Sequence, residues 1–164
     1  MKKQILSVLF IACVMSTGGV AFGDSDINEF SFCNHCGMDR DQLAHSRMVM
    51  VYDDGTSVGT CSIHCVAIEL ILNLDKIPRY LHVGDYNSKK LIDAEKAFWV
   101  IGGKKPGVMT KKAKWAFENK ADAEKFISEN GGSLSTFDKA MKATYEDMYA
   151  DTKMKLEKRE AKKK

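Results

Sequence analysis

Short apolar runs separated by charged turns make up most of this chain, and their spacing changes twice from strand-like to helix-like and back. Asp24 to Glu29 is polar and reads as disordered. Arg47 to Tyr52 (Arg-Met-Val-Met-Val-Tyr) is rich in β-branched and other apolar residues and predicts a strand. Asp53-Asp54-Gly55 then signals a turn, and Thr56 to Thr60 returns as the hairpin partner. From Ser62 to Leu74 the period changes. Ile63, Val66, Ala67, Leu70, Ile71 and Leu74 recur at spacings of three and four, which predicts a helix with one apolar face. Pro78 prevents that helix from continuing, and Arg79 to Tyr86 predicts a further strand.

The second half repeats the order. Ala97 to Ile101 predicts a strand, followed by a loop marked by Gly102-Gly103 and Pro106-Gly107. Lys114 to Glu118 is short and aromatic and reads as a second strand. Asn119 can cap a helix over Ala121 to Asn130, with Ala123, Phe126 and Ile127 inward, and Gly131-Gly132 stops it. Ser133 to Phe137 predicts a closing strand, and a long helix follows from about Asp138. The expected class is α+β: two small strand-strand-helix-strand units in tandem, about 33–86 and 90–137, plus a C-terminal helix over 138–164. The match between the halves lies in element order, not in residue identity.

Ahead of this body, Lys2 and Lys3 precede an apolar stretch, Ile5 to Met15, that is too short to anchor in a bilayer. Ala21-Phe22-Gly23 offers small residues at the two positions a signal peptidase reads, so residues 1–23 are expected to be a cleaved signal. Residues 24–164 are then periplasmic, and Cys13 leaves with the signal. Lipid attachment at Cys13 is the rival reading; it would leave an unusually short apolar region and put Phe10 where Leu is usual. The formal charge of +3 falls to +1 without Lys2 and Lys3, since residues 1–23 hold no acids. A near-neutral body gives no electrostatic case for nucleic acid. Lys153 to Lys164 carries seven Lys/Arg against two Glu and reads as a solvated helix end or frayed tail, with contact to an acidic membrane surface as the alternative.

Candidate chemistry is concentrated in two short segments, Cys33-Asn34-His35-Cys36-Gly37-Met38 and Cys61-Ser62-Ile63-His64-Cys65. They gather four thiols, two histidines and a thioether, ligand types that soft metals prefer. Two disulfides are the plainer reading for four cysteines in an oxidising compartment. A Cys-x-x-Cys turn, a hairpin and a second pair at a helix start also match a four-thiolate knuckle for zinc or iron. The helix beginning near Cys61 favours thiolate there through its N-terminal partial positive charge. Met38 changes the balance, because a thioether is a weak zinc ligand but suits Cu(I). Met109 is a second candidate in its Gly-rich loop, whereas Met48 and Met50 on the predicted strand read as core. His35 and His64 are candidate ligands or supporting groups; His45 and His82 read as ordinary surface or strand residues. Neither cysteine pair has the spacing and following histidine of c-type haem attachment, and no βαβ unit flanks Cys33 and Cys36 as a thioredoxin-like site requires. An organomercury-type lyase would need a proton donor, for which Asp39 or Asp54 could be proposed.

The chain resembles the NosL proteins, accessory factors of nitrous oxide reductase assembly. The resemblance rests on Cys36-Gly37-Met38 and Asp53-Asp54-Gly55, then on Leu91-Ile92-Asp93-Ala94, Ala97-Phe98-Trp99-Val100-Ile101-Gly102, Gly107-Val108-Met109, Ala116-Phe117, Ala123-Glu124-Lys125-Phe126 and Asn130-Gly131-Gly132. It implies two strand-strand-helix-strand units related to those of the alkylmercury lyase fold. It also implies a periplasmic, non-enzymatic Cu(I) chaperone that hands the ion to a copper enzyme or another carrier. By position, the family's Cys-Gly-Met places ligands at Cys36 and Met38, and its Gly-x-Met loop places a third at Met109. The family's glycine-proline-methionine appears here as Gly107-Val108-Met109, and Cys33, Cys61 and Cys65 go beyond the family's core motif. Those extra thiols suggest a second, structural metal or a metal-sensing knuckle, with a structural zinc interaction module of Cys33, Cys36, Cys61 and Cys65 as the alternative function.

Overall fold

The computed structural model of the chain describes residues 25–162. The expected signal, with Cys13, and the last two lysines lie outside the described residues.

The elements follow the predicted order, with two additions. A short helix α1 (Ser25–Glu29) precedes the hairpin of β1 (Met48–Tyr52) and β2 (Ser57–Thr60). Helix α2 (Ile63–Leu72) and strand β3 (Pro78–Gly84) complete the first unit, and an edge strand β4 (Leu91–Asp93) follows. The second unit is β5 (Phe98–Ile101), β6 (Lys114–Phe117), α3 (Lys120–Asn130) and β7 (Ser133–Ser135), closed by α4 (Phe137–Ala161). The first sheet has the order β2-β1-β3-β4 and the second β6-β5-β7, antiparallel throughout. In each unit the first strand is central, between its hairpin partner and the strand that returns after the helix. The α+β class therefore holds. Strand β4 had no periodic signal, because three residues carry too little pattern to stand out.

Side-chain alternation along the second sheet joins the two halves. Trp99 and Ile101 of β5, with Ala116 of β6, pack among Met48, Met50 and Val83 of the first sheet, Val66 of α2, and Phe137 and Ala140 of α4. Phe98 and Val100 point the other way, joining Trp115, Phe117, Ala123 and Phe126 under α3. Met48 and Met50 are core, as their strand positions predicted. A bridge between Asp85 and Ala116 connects the sheets, and the Asp85 carboxylate accepts the Glu118 N–H at 2.9 Å.

Three expectations require correction. Asp24 to Glu29 was expected to be disordered, yet Asp26 is buried and holds two guanidinium groups, Arg40 and Arg47, each at 2.9 Å. Arg40 also donates to Asp26 O, Thr60 O and Met48 O, so the segment is fastened across the hairpin. Gly59 on β2 makes room for it, since a Cβ there would collide with the Phe30 side chain and the Arg40 guanidinium. Helix α2 ends at Leu72, with Asn73 as C-cap, and leaves Ile71 and Leu74 exposed; its buried face takes Glu69 instead. His45, expected at the surface or on a strand, sits on a turn, half-buried and packed against Tyr86 and Trp115. Among the described residues no helix is long and apolar enough to cross a membrane.

Candidate metal centre

The first cysteine pair lies on a tight turn closed by a bridge between Phe32 and Asp39. Cys33 N–H donates to Met38 O and Gly37 N–H to Cys33 O, both at 2.9 Å. Gly37 sits at φ +70°, a left-handed conformation that a side chain would strain. The turn aims the backbone N–H groups of His35 and Cys36 at the Cys33 sulfur. Asn34 N–H donates to Gly59 O at 3.1 Å, which ties this turn to the end of β2. There Cys61 leads into α2, whose N-cap is Ser62 and whose first turn carries Cys65. Ser46 Oγ holds Cys61 O at 2.9 Å.

The hairpin thus folds both pairs onto one point. All four sulfurs lie within 4.8 Å of one another, with Cys36–Cys61 at 3.4 Å and Cys61–Cys65 at 3.7 Å. None is in a disulfide, so the two-disulfide reading is not the arrangement of this structure. Cys33, Cys61 and Cys65 are buried; Cys36 is the one that solvent partly reaches. Hydrogen bonds from the Cys61 and Cys65 thiols hold Cys33 far below the ordinary thiol range. The same contact with Cys33 pushes Cys61 up to about 12, and Cys65 is raised further by Cys33 and Cys61 together. The directions of these shifts favour negative charge on Cys33 and protons on Cys61 and Cys65. A bound cation would displace those protons and draw on all four sulfurs.

The NosL family model matches residues 24–145. The chain belongs to the NosL family. The crystal structure of the copper chaperone NosL from Shewanella denitrificans is similar, with a TM-score of 0.50 and 25% identity over 65% of this chain and 87% of that one. Comparison with curated proteins returned no match.

Of the NosL-type sulfurs, Cys36 lies in the cluster, while Met38 and Met109 are 39% and 40% exposed. Met109 comes from the loop between β5 and β6 and adopts φ +60°, which is rare for a side-chain-bearing residue. The preceding residue, Val108, packs against the cysteine cluster and its carbonyl accepts from Ser62 Oγ at 3.5 Å. The loop is fixed from behind: Thr110 Oγ1 and Lys114 Nζ both donate to Asp147 Oδ2 on α4, at 2.8 and 2.5 Å. A segment of the second unit is thereby held against the cysteines of the first.

The histidines take different positions. His35 Nε2 meets Glu69 Oε2 at 2.7 Å, so that nitrogen faces a carboxylate, not the sulfurs. Glu69 is buried one turn beyond Cys65 and also accepts from Tyr52 OH and Asn73 Nδ2, each at 2.8 Å. Burial, then this hydrogen bond, raises the Tyr52 phenol and keeps it a donor. His64 lies on α2 beside Cys65, half-buried, and is not one of the four mutually close donors. The two acids considered as proton donors serve turns instead. Asp39 accepts the N–H groups of Asp41 and Gln42, and hydrogen bonds from Thr56 hold Asp54 below its usual range. Sequence reasoning missed Glu69 because it interrupts an apolar helix face, a signal that in retrospect marks a buried polar partner.

Proposed function

We propose that this chain is a periplasmic Cu(I) carrier, not an enzyme, which hands its ion to a copper enzyme or to another copper carrier. Nitrous oxide reductase is the client that the family resemblance suggests. One observation carries the reading: among four clustered thiols of a NosL-family chain, the partly exposed one is Cys36, and it is followed at once by Gly37 and the exposed thioether of Met38. Cu(I) is soft and content with two or three sulfur donors. Cys36, Met38 and Met109 would supply three, leaving a side from which a partner's thiolate or imidazole can enter and take the ion. No redox or covalent step is involved; delivery is ligand exchange. The other NosL protein described as a copper chaperone supports the assignment. Export rests on the signal-like residues 1–23, and the basic end of α4 would let the carrier approach an acidic membrane surface.

The test is Cu(I) titration of the mature chain against a chromophoric competitor under reducing conditions, with X-ray absorption at the copper edge. One Cu(I) per chain in an all-sulfur environment is expected. Loss of partners that merely orient a ligand costs about 10–100-fold in affinity, so removing two donors in Cys36→Ser/Met109→Leu should cost more than about 100-fold. Unchanged binding by that variant, or only nitrogen and oxygen neighbours around copper, would sink the assignment.

A further inference from the structure

We infer that this chain pairs with a second copy of itself, the basic end of α4 in each copy lying on the apolar patch that follows α2 in the other. The inference goes beyond the carrier reading and does not depend on it.

The patch begins in the last turn of α2. Leu72, Leu74 and Ile77 are 67%, 84% and 65% exposed, and Ile71 and Tyr80 are exposed beside them. These ten residues hold five of the twelve exposed large apolar side chains among the described residues, a concentration that marks an interaction surface. The rim is acidic. Asp53 N–H donates to Ile77 O at 3.0 Å, so the turn between β1 and β2 abuts the patch and brings Asp53 and Asp54 to Asp75. Against them stand Arg79 and Lys76, and Lys76 is already paired with Asp54 at 3.5 Å.

Helix α4 packs on the body through its first half, where Phe137, Ala140 and Thr144 are buried. From Tyr149 to Ala161 no described side chain is buried, which leaves about 20 Å of projecting helix. This arm lies beyond residue 145, where the family match ends. One side of it faces the body, since Asp147 accepts from Thr110 Oγ1 and Lys111 Nζ donates to Met154 Sδ. Tyr149, Thr152 and Leu156 recur at spacings of three and four on the opposite face, with Tyr149 75% exposed. Residues 149–164 hold seven Lys/Arg against three acids, a net +4; residues 24–164 carry +1, so 24–148 stand at −3. Arm and patch are thus complementary in apolar surface and in charge.

A chain cannot place its own arm on its own patch. Tyr145 OH donates to Ala67 O at mid-α2, and two residues later Asp147 has reached the loop whose Val108 O accepts from Ser62 at the start of α2. Helix α4 therefore runs antiparallel to α2 and leaves past its N-terminus, whereas the patch follows its C-terminus. A second copy joins what one chain keeps apart. Reciprocal docking about a two-fold axis satisfies both arms and both patches, and doubles the buried area toward the about 1,200–2,000 Å² of a stable interface.

Sedimentation equilibrium of the mature, reduced, metal-free chain tests this. A dimer at low salt that dissociates as ionic strength rises from about 0.05 to 0.5 M is expected. Leu72→Ser/Leu74→Ser and Lys153→Glu/Arg159→Glu should each raise the dimer Kd at least about tenfold. All four positions are exposed. Adding Asp53→Lys/Asp75→Lys to the arm reversal should restore pairing, which no folding defect could do. A monomer at every concentration, a dimer that neither variant weakens, or a reversal that the compensating lysines fail to rescue would each overturn the pairing. A monomer whose binding to anionic phospholipid vesicles is lost in Lys153→Glu/Arg159→Glu would overturn it too, and would assign the arm to a lipid surface. None of these readouts involves copper, so the carrier assignment stands or falls separately.

Discussion

Asp26 shows how much one side chain can decide. It is the single acid between two buried guanidinium groups, and Arg40 spends its other donors on Asp26, Thr60 and Met48 carbonyls. Breaking a buried ion pair from one side costs about 3–5 kcal/mol, because the remaining charge is left without compensation. Asp26→Ala should lower the urea-unfolding free energy by about that amount; a change below about 1 kcal/mol would mean that the segment is not docked in solution. His45 supplies a pH dependence. Burial, and then Lys89, lower it from its ordinary value of 6.5, and burial lowers His82 as well. The unfolded chain then binds more protons below pH 6.5, so stability is greatest above that value and is lost as pH falls toward the folded-state pKa values. Urea midpoints should drop between pH 7.5 and 5.5, and His45→Gln should reduce the drop; an identical drop would remove His45 from the account.

Among the elements, the loop between β5 and β6 leaves little room for change at Gly107. A Cβ on Gly107 would lie 2.5 Å from Thr110 O and 2.9 Å from the Ala113 Cα, so the backbone would have to shift just ahead of Met109. Gly107→Ala should cost about 1–3 kcal/mol and also weaken Cu(I) binding in the competitor titration. Lost stability with unchanged copper affinity would show that the loop contributes no donor. Helix α2 illustrates the limits of periodicity. The spacing placed Ile71 and Leu74 on the inner face, but Glu69 took an inner position and the helix stopped at Leu72. The buried carboxylate is accepted because Tyr52, Asn73 and His35 all meet it, and an apolar count along one helix cannot register partners on a strand and a turn.

For the whole molecule, the cysteine cluster joins a turn, a hairpin end and a helix start, and Val108 brings the second unit onto it. A metal bound only by the folded arrangement stabilises the fold by mass action. Adding a strong chelator to metal-loaded protein should therefore lower Tm by several degrees, since about 1 kcal/mol shifts a domain of this size by roughly 2–4 °C. Tm unaffected by metal and by chelator would mean that the cluster forms without help and gains nothing from occupancy.

The sequence alone determined the order of the elements other than α1 and β4, the class, the repeated strand-strand-helix-strand pattern and the cysteine spacings, because each is written in local period, turn residues or separation along the chain. Tertiary structure alone decided that Cys36 and Cys61 come within 3.4 Å, that Asp26 is buried and that Glu69 faces His35. The physical reason is the same in all three cases. Periodicity reports which way a side chain faces, whereas a buried charge or thiol is fixed by the partner that compensates it, and that partner is chosen by the fold.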